Sequence, residues 1–210
     1  NEKHLFFHIP TSAHKNIQRA LQDAGIRSEE YVHIHPVSRW MFKTLPTETI
    51  VDVIRFLDGK GKKIVLTGSK DRLEMQMNKE ICLKAKEVPI VNLSGTINLK
   101  ELGAVIAHSA FLLSVDSVPL HLASSLKVPV IAVFGPTCEK NWGPYHHPMS
   151  QTLFQPLSCR PCYQPGCGGS GKSECLTTFP TQKIIKAVSE LLESIKQPLE
   201  KGFVKEGSII

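Results

Sequence analysis

Long hydrophobic runs are missing from these 210 residues, and aromatic residues are scarce. Apolar stretches such as Val128 to Gly135 fall far short of the roughly 20 residues that a membrane helix needs. Leu5 to Ile9 is too short for the apolar region of a secretory signal, and the opening Asn1 in place of Met suggests a trimmed fragment. Phe, Tyr and Trp make up only 7% and do not interleave with basic residues; with no recognisable DNA or RNA module, a nucleic-acid partner is not expected. Charged residues stop at 21%, and no heptad or triplet repeat runs through the chain, which excludes disorder, coiled coil and collagen as overall classes.

What remains is ordinary globular material. The apolar fraction of 41% is enough to bury a core, and the length fits one domain of about 150 residues with a long attachment. Twenty-five basic and 19 acidic residues give a net charge of +6. The basic residues form no single long run. They read first as a solubilising surface, and otherwise as a match for an anionic ligand or membrane surface.

Short apolar runs alternate with helical patterns. Leu5 to Ile9 reads as a strand, and Ser12 to Ala24 as a helix with Ser12 as N-cap and Gly25 as its stop. Further strands are expected at Tyr31–His35, Lys63–Thr67, Pro89–Leu93, Phe111–Val115 and Val128–Phe134. Helices are expected from Pro46 to about Asp58, and at Arg72–Lys84, Leu99–His108, Pro119–Leu126 and Thr181–Ile195. Five continuous apolar strands alternating with helices predict a buried parallel sheet covered on both faces, a Rossmann-like doubly wound α/β domain over residues 28–150. Residues 1–27 then precede the domain. Residues 151–180 read as a Cys-rich loop, and residues 181–210 as a C-terminal helix and loosely held tail.

In such a sheet, ligands bind beyond the carboxyl ends of the strands. There stand His35-Pro36-Val37-Ser38-Arg39, Gly68-Ser69-Lys70-Asp71, Ser94-Gly95-Thr96, Asp116-Ser117 and Gly135-Pro136-Thr137. In Asp116-Ser117-Val118-Pro119-Leu120-His121, Ser117 can cap a helix whose first amides attract an anion, with His121 one turn in. The same word also fits a plain strand-to-helix junction with a core histidine. Arg39 and Lys43 follow the first strand, where a cation would complete a pyrophosphate site; either could equally be a solvated loop charge.

Gly166 to Ser173 satisfies the G-x-x-x-x-G-K-[ST] pattern of a P-loop. The mechanism needs a buried strand before it and a helix after it. Neither flank has that character, so the match is rejected. Cys159, Cys162, Cys167 and Cys175 fall within seventeen residues in a Gly-rich interval. They read as four thiolates around a structural zinc or an iron–sulfur cluster, with free thiols or a disulfide pair as alternatives. Four thiolates would leave no open position for substrate.

Taken together and in order, several of these words resemble one family. They are Val115 to Ala123, Val128 to Thr137, Trp142-Gly143-Pro144, Leu93-Ser94-Gly95, and His35 to Lys43. They are similar to the heptosyltransferases of lipopolysaccharide core synthesis, glycosyltransferase family nine, and nearest to its type III branch. The resemblance covers residues 28–195. It implies the C-terminal, donor-binding half of a GT-B fold, with residues 1–27 as the interdomain connection.

The implied reaction is inverting transfer of heptose from ADP-heptose to the lipopolysaccharide inner core. It would take place at the cytoplasmic face of the bacterial inner membrane, by a peripheral enzyme that needs no metal for transfer. By resemblance, Ser38 and Lys43 hold the donor's phosphates and sugar, with Arg39 beside them. Glu74 accepts from the ribose hydroxyls, and Ile97 lies at the adenine. Asp116 and His121 meet the sugar, and the Ser117 and Val118 amides meet the pyrophosphate. Many relatives carry Gly where Val118 stands, a substitution that forbids cheap positive φ and narrows the pocket. The family's catalytic base belongs to the N-terminal half, so none is assigned here. Rival readings are another GT-B sugar-nucleotide enzyme, epimerase-like, and a noncatalytic nucleotide-sugar-binding or interaction domain.

Overall fold

The computed structural model describes residues 4–28 and 30–196. The apolar runs become five strands: β1 (Tyr31–His35), β2 (Lys63–Leu66), β3 (Ile90–Asn92), β4 (Phe111–Val115) and β5 (Val130–Phe134). A sixth, β6 (Ser150–Phe154), lies where the sequence predicts loop. All pair in parallel, in the order β3-β2-β1-β4-β5-β6. From β1 the chain winds outward to β2 and β3; from β4 it winds the other way to β5 and β6. The loops after β1 and β4 therefore part at a topological switch point, where a doubly wound sheet opens its crevice.

Eight helices occur among the described residues. They are α1 (Thr11–Asp23), α2 (Thr47–Gly59), α3 (Arg72–Lys84), α4 (Leu99–Ala107), α5 (Val118–Leu126), α6 (Glu139–Trp142), α7 (Glu174–Thr177) and α8 (Thr181–Lys196). Every residue of β1, β4 and β5 is buried, because helices cover both faces of the sheet. On one face Val32, Ile34, Ile64, Leu113 and Val133 pack against α2, α3 and α8. On the other, Tyr31 and Val65 meet α1 and α4, while Leu112 and Val130 meet α5.

Local chemistry sets the helix ends. Asp71 caps α3 by accepting from the amides of Leu73 and Glu74. Asn98 and Glu101 form a capping box at α4. Pro46 stands at the N-cap of α2, one position before the helix it was expected to open.

Three expectations are corrected. Leu5 to Ile9 forms no strand. Phe7 instead lies across α4, where a Cβ on Gly103 would stand 2.5 Å from its ring, and Lys100 holds the segment through the carbonyl of His8 at 2.6 Å. The helix after it begins at Thr11, with Pro10 rather than Ser12 at the N-cap. β6 was missed because Ser150-Gln151-Thr152 is polar. The strand lies at the sheet's end and is half-exposed, so no apolar run is required there.

The core also crosses the expected boundaries. Ile17 and Leu21 of α1 are buried against Ala104 and Val105, and β6 extends the sheet beyond residue 150. The expected tail from Gln197 onward lies outside the described residues.

Candidate functional site

At the carboxyl ends of β1, β2 and β4 lies an open cavity of about 530 Å³. Ser38, Arg39, Glu74, Ile97, Ser117 and Val118 all line it, as does His35. Six of the nine residues implicated by the sequence in donor binding thus face one space. Lys43, Asp116 and His121 do not line it. Asp116 directly precedes Ser117 in the chain. His121 lies one turn into α5 and is half-buried.

The two charged residues pair with each other. Lys43, carried by a single 3₁₀ turn after β1, places Nζ 2.7 Å from Asp116 Oδ2. Thr137, after β5, donates its hydroxyl to the same oxygen at 2.7 Å. Both partners of the ion pair are largely enclosed, with side-chain exposures of 17% and 8%. Asp116 is therefore fixed by groups from two other loops. Lys43 has three donor directions and one carboxylate oxygen on it, so its charge remains usable by an anion.

Ser117 holds the N-cap position of α5, but its side chain makes no capping bond. Its hydroxyl turns back to Ser114 Oγ at 3.1 Å and to the Val115 carbonyl at 3.3 Å. The first turn of α5 is thus left without a side-chain acceptor, and Pro119 within it carries no N–H. The amides of Ser117 and Val118 stand at the positive end of the helix dipole. Val118 is absent from the non-glycine residues with positive φ, so replacing glycine there strains nothing. The residue is 57% exposed and lines the cavity.

Glu74 sits in the first turn of α3, 4% exposed, and accepts the Ser69 amide at 2.7 Å. One edge of its carboxylate is thereby anchored. Gly68 is required beside it: a Cβ there would come within 2.8 Å of Asn78 Nδ2, which bonds the Thr67 carbonyl and Ser94 Oγ.

Thr137 and His35 were not singled out as functional in the sequence. The signal available was position alone, since both stand in the polar words at strand ends. His35 is buried, with Nδ1 2.7 Å from the Thr67 hydroxyl; burial lowers its pKa from the ordinary 6.5 to about 3.

The Cys-rich loop supports this edge of the sheet. Arg160, with only 5% of its side chain exposed, donates to the carbonyls of Gly135, Thr137 and Gln155 and pairs with Glu139 at 3.2 Å. It therefore holds the turn that carries Thr137. Leu176 of α7 lies so close to Gly135 that a Cβ there would stand 2.4 Å from its Cδ1.

The four cysteines do not fit a metal centre as they stand. Among the described residues no group of three or more His, Cys, Asp or Glu could hold an ion. Cys159 and Cys167 are exposed, while Cys175 is buried. Burial raises the Cys175 thiol to about 11, only partly opposed by Arg160, and the other three thiols raise it further. Cys167 Sγ instead accepts the Glu174 amide at 3.4 Å. The P-loop reading also lacks its context: β6 ends at Phe154, well before Gly166, and α7 spans only 4 residues.

The sequence pattern of glycosyltransferase family 9 (heptosyltransferase) matches residues 8–170. The chain belongs to glycosyltransferase family 9. It is 32% identical to lipopolysaccharide heptosyltransferase 3 of Escherichia coli over 88% of its own length and 53% of the relative's. It thus spans about half the length of that curated relative.

Solved structures share its fold. A family 9 glycosyltransferase from Veillonella parvula superposes with a TM-score of 0.77 at 22% identity, covering 90% of this chain and 54% of that one. The E. coli heptosyltransferase WaaC with ADP gives 0.64 at 21% identity, covering 83% and 48%. The Rossmann-like sheet of this family 9 chain is accordingly half of a GT-B fold.

Proposed function

We propose that this chain is the donor-binding half of a lipopolysaccharide heptosyltransferase and holds ADP-heptose for inverting transfer to the inner core. The observation that carries the reading is the meeting of Lys43, Asp116 and the uncapped start of α5 at the switch point of the sheet. A diphosphate needs one cation and several amides, and both are present there. Glu74 would accept from the ribose hydroxyls and Ile97 would meet the adenine; both line the cavity. Asp116 and His121 would meet the heptose. In this reading no metal is needed for transfer.

The general base is not assigned to this chain. Inverting transfer needs a base within about 3 Å of the acceptor hydroxyl, on the face opposite the leaving group. Asp116 is tied to Lys43 and Thr137 on the donor side. The net charge of +6 suits a phosphorylated glycolipid acceptor at an anionic membrane surface. No described helix is long and apolar enough to cross a membrane. The association proposed with the inner membrane's cytoplasmic face is a peripheral one.

Calorimetric titration with ADP-heptose and with UDP-sugars tests the reading. Saturable binding of ADP-heptose in preference to UDP-sugars is expected, with no ADP released when core glycolipid is added. UDP preference would favour an epimerase-like enzyme, and no binding would favour an interaction domain.

A further inference from the structure

Beneath the cavity three buried polar side chains form a line. His33 and His35 project from the same face of β1, and Thr67 follows β2 beside them. The Thr67 hydroxyl lies 2.6 Å from His33 Nε2 and 2.7 Å from His35 Nδ1. The backbone that carries it is held on both sides. The Thr67 amide donates to the Ile34 carbonyl at 3.2 Å, and its own carbonyl accepts from Asn78 at 3.0 Å.

Among the described residues the two rings are the hydrogen-bond partners of the buried Thr67 hydroxyl, so its single proton is satisfied only when it donates to one ring and accepts from the other. Burial keeps both imidazoles neutral, each with a single N–H. Two orderings remain. In one, His35 Nδ1–H donates to Thr67 and Thr67 donates to His33 Nε2. The His33 proton then sits on Nδ1, which is enclosed and has no partner. A buried N–H without an acceptor is the rare kind of defect.

In the other ordering, His33 Nε2–H donates to Thr67 and Thr67 donates to His35 Nδ1. His33 Nδ1 is then a bare lone pair, and the His35 proton sits on Nε2. His35 lines the cavity, and its Nε2 is not among the enclosed unpartnered atoms. That N–H is free for a ligand.

We propose that His35 presents Nε2–H to a diphosphate oxygen of the nucleotide sugar, in a tautomer set by the Thr67 hydroxyl and by His33 behind it. His35 is then a donor-binding residue, and Thr67 and His33 are positioning residues. A neutral N–H suits the place. It gives the diphosphate a hydrogen bond in a fixed direction, whereas a bare Nε2 lone pair would repel it. The inference rests on the donor-site reading above and deepens it.

Long-range proton–nitrogen spectra of the 210-residue chain report the protonated nitrogen of each imidazole, with and without ADP. His35 is expected to be protonated on Nε2 in both states, with the Nε2–H signal moving when ADP binds. Thr67→Val should lose the single tautomer and weaken ADP binding about tenfold, as for one hydrogen bond to a charged group, while Thr67→Ser should keep both. His35→Phe should weaken binding by a similar factor, with Thr67→Val adding nothing to it. Protonation of His35 on Nδ1, or unchanged ADP affinity in a folded His35→Phe chain, overturns the proposal and leaves the donor site standing. Failure of the unaltered chain to bind ADP overturns the donor-site reading and this proposal with it.

Discussion

Lys43 and Asp116 lie 73 positions apart in the chain and meet at 2.7 Å across the switch point of the sheet. The contact joins the loop after β1 to the loop after β4, the two segments that part in opposite directions. It sets a cation beside the uncapped end of α5 before any ligand arrives. Preorganisation of this kind reduces the side-chain ordering that binding must otherwise bear.

Lys43→Ala is expected to weaken ADP-sugar binding by about 1–3 kcal/mol, the range for a lost charge-assisted hydrogen bond. Asp116 keeps its bond from Thr137, so the fold should persist. Calorimetry on a variant with an unchanged circular dichroism spectrum checks this. Undiminished affinity would remove Lys43 from the site.

Arg160→Ala should be among the more damaging single changes outside the apolar core. It strands the carbonyls of Gly135, Thr137 and Gln155 and leaves Glu139 without its partner. Breaking such an enclosed pair costs about 3–5 kcal/mol. Arg160→Lys should recover little, because an ammonium cannot fork to several carbonyls. Urea unfolding midpoints for the three proteins measure both effects.

Acid should weaken the fold above the carboxylate range. Burial lowers the pKa of His33 and His35, and the charge of His35 lowers that of His33 further. Between the ordinary value of 6.5 and about 3 for His35, the unfolded chain binds the proton and the folded chain does not. The stabilisation is full above pH 6.5 and is lost as pH falls below it. For His35 alone the loss between pH 7 and 5 is about 2 kcal/mol, and His33 adds to it in the same direction. Urea midpoints across that interval report it, and a flat profile would contradict the burial of both rings.

The cysteines should react in order of their surroundings. Cys159 and Cys167 are exposed and should be alkylated first in the folded chain at pH 8. Cys175, buried and raised to about 11, should react only after unfolding. Mass spectrometry of timed alkylation distinguishes this from uniform protection of all four, the result a bound metal would give.

Much of this site was legible in the sequence because it sits where apolar runs end. The continuous runs at Tyr31–His35 and Phe111–Val115 became β1 and β4 without change of bounds. Once those strands were placed, the residues after them had to share an edge. The pairing of Lys43 with Asp116 was not legible, since only the strand order brings those loops together.

Ser117 shows the limit of local rules. Its position at the N-cap follows from the sequence, but the hydroxyl found Ser114 and the Val115 carbonyl instead of the helix amides. The spacing of Cys159, Cys162, Cys167 and Cys175 pointed to a metal. The side chain between the first two, Arg160, orders the loop in its place. β6 escaped because an edge strand with one neighbour does not need a continuous apolar run.

The central claim is that the switch-point cavity is the donor site. Amide chemical-shift mapping of the nitrogen-labelled chain during titration with ADP tests it most directly. The largest saturable shifts are expected at Ser38, Ser69, Ile97, Ser117 and Val118, all of which line that cavity. Shifts confined to other surfaces, or no shifts at ADP concentrations that saturate a full-length family 9 enzyme, would contradict it.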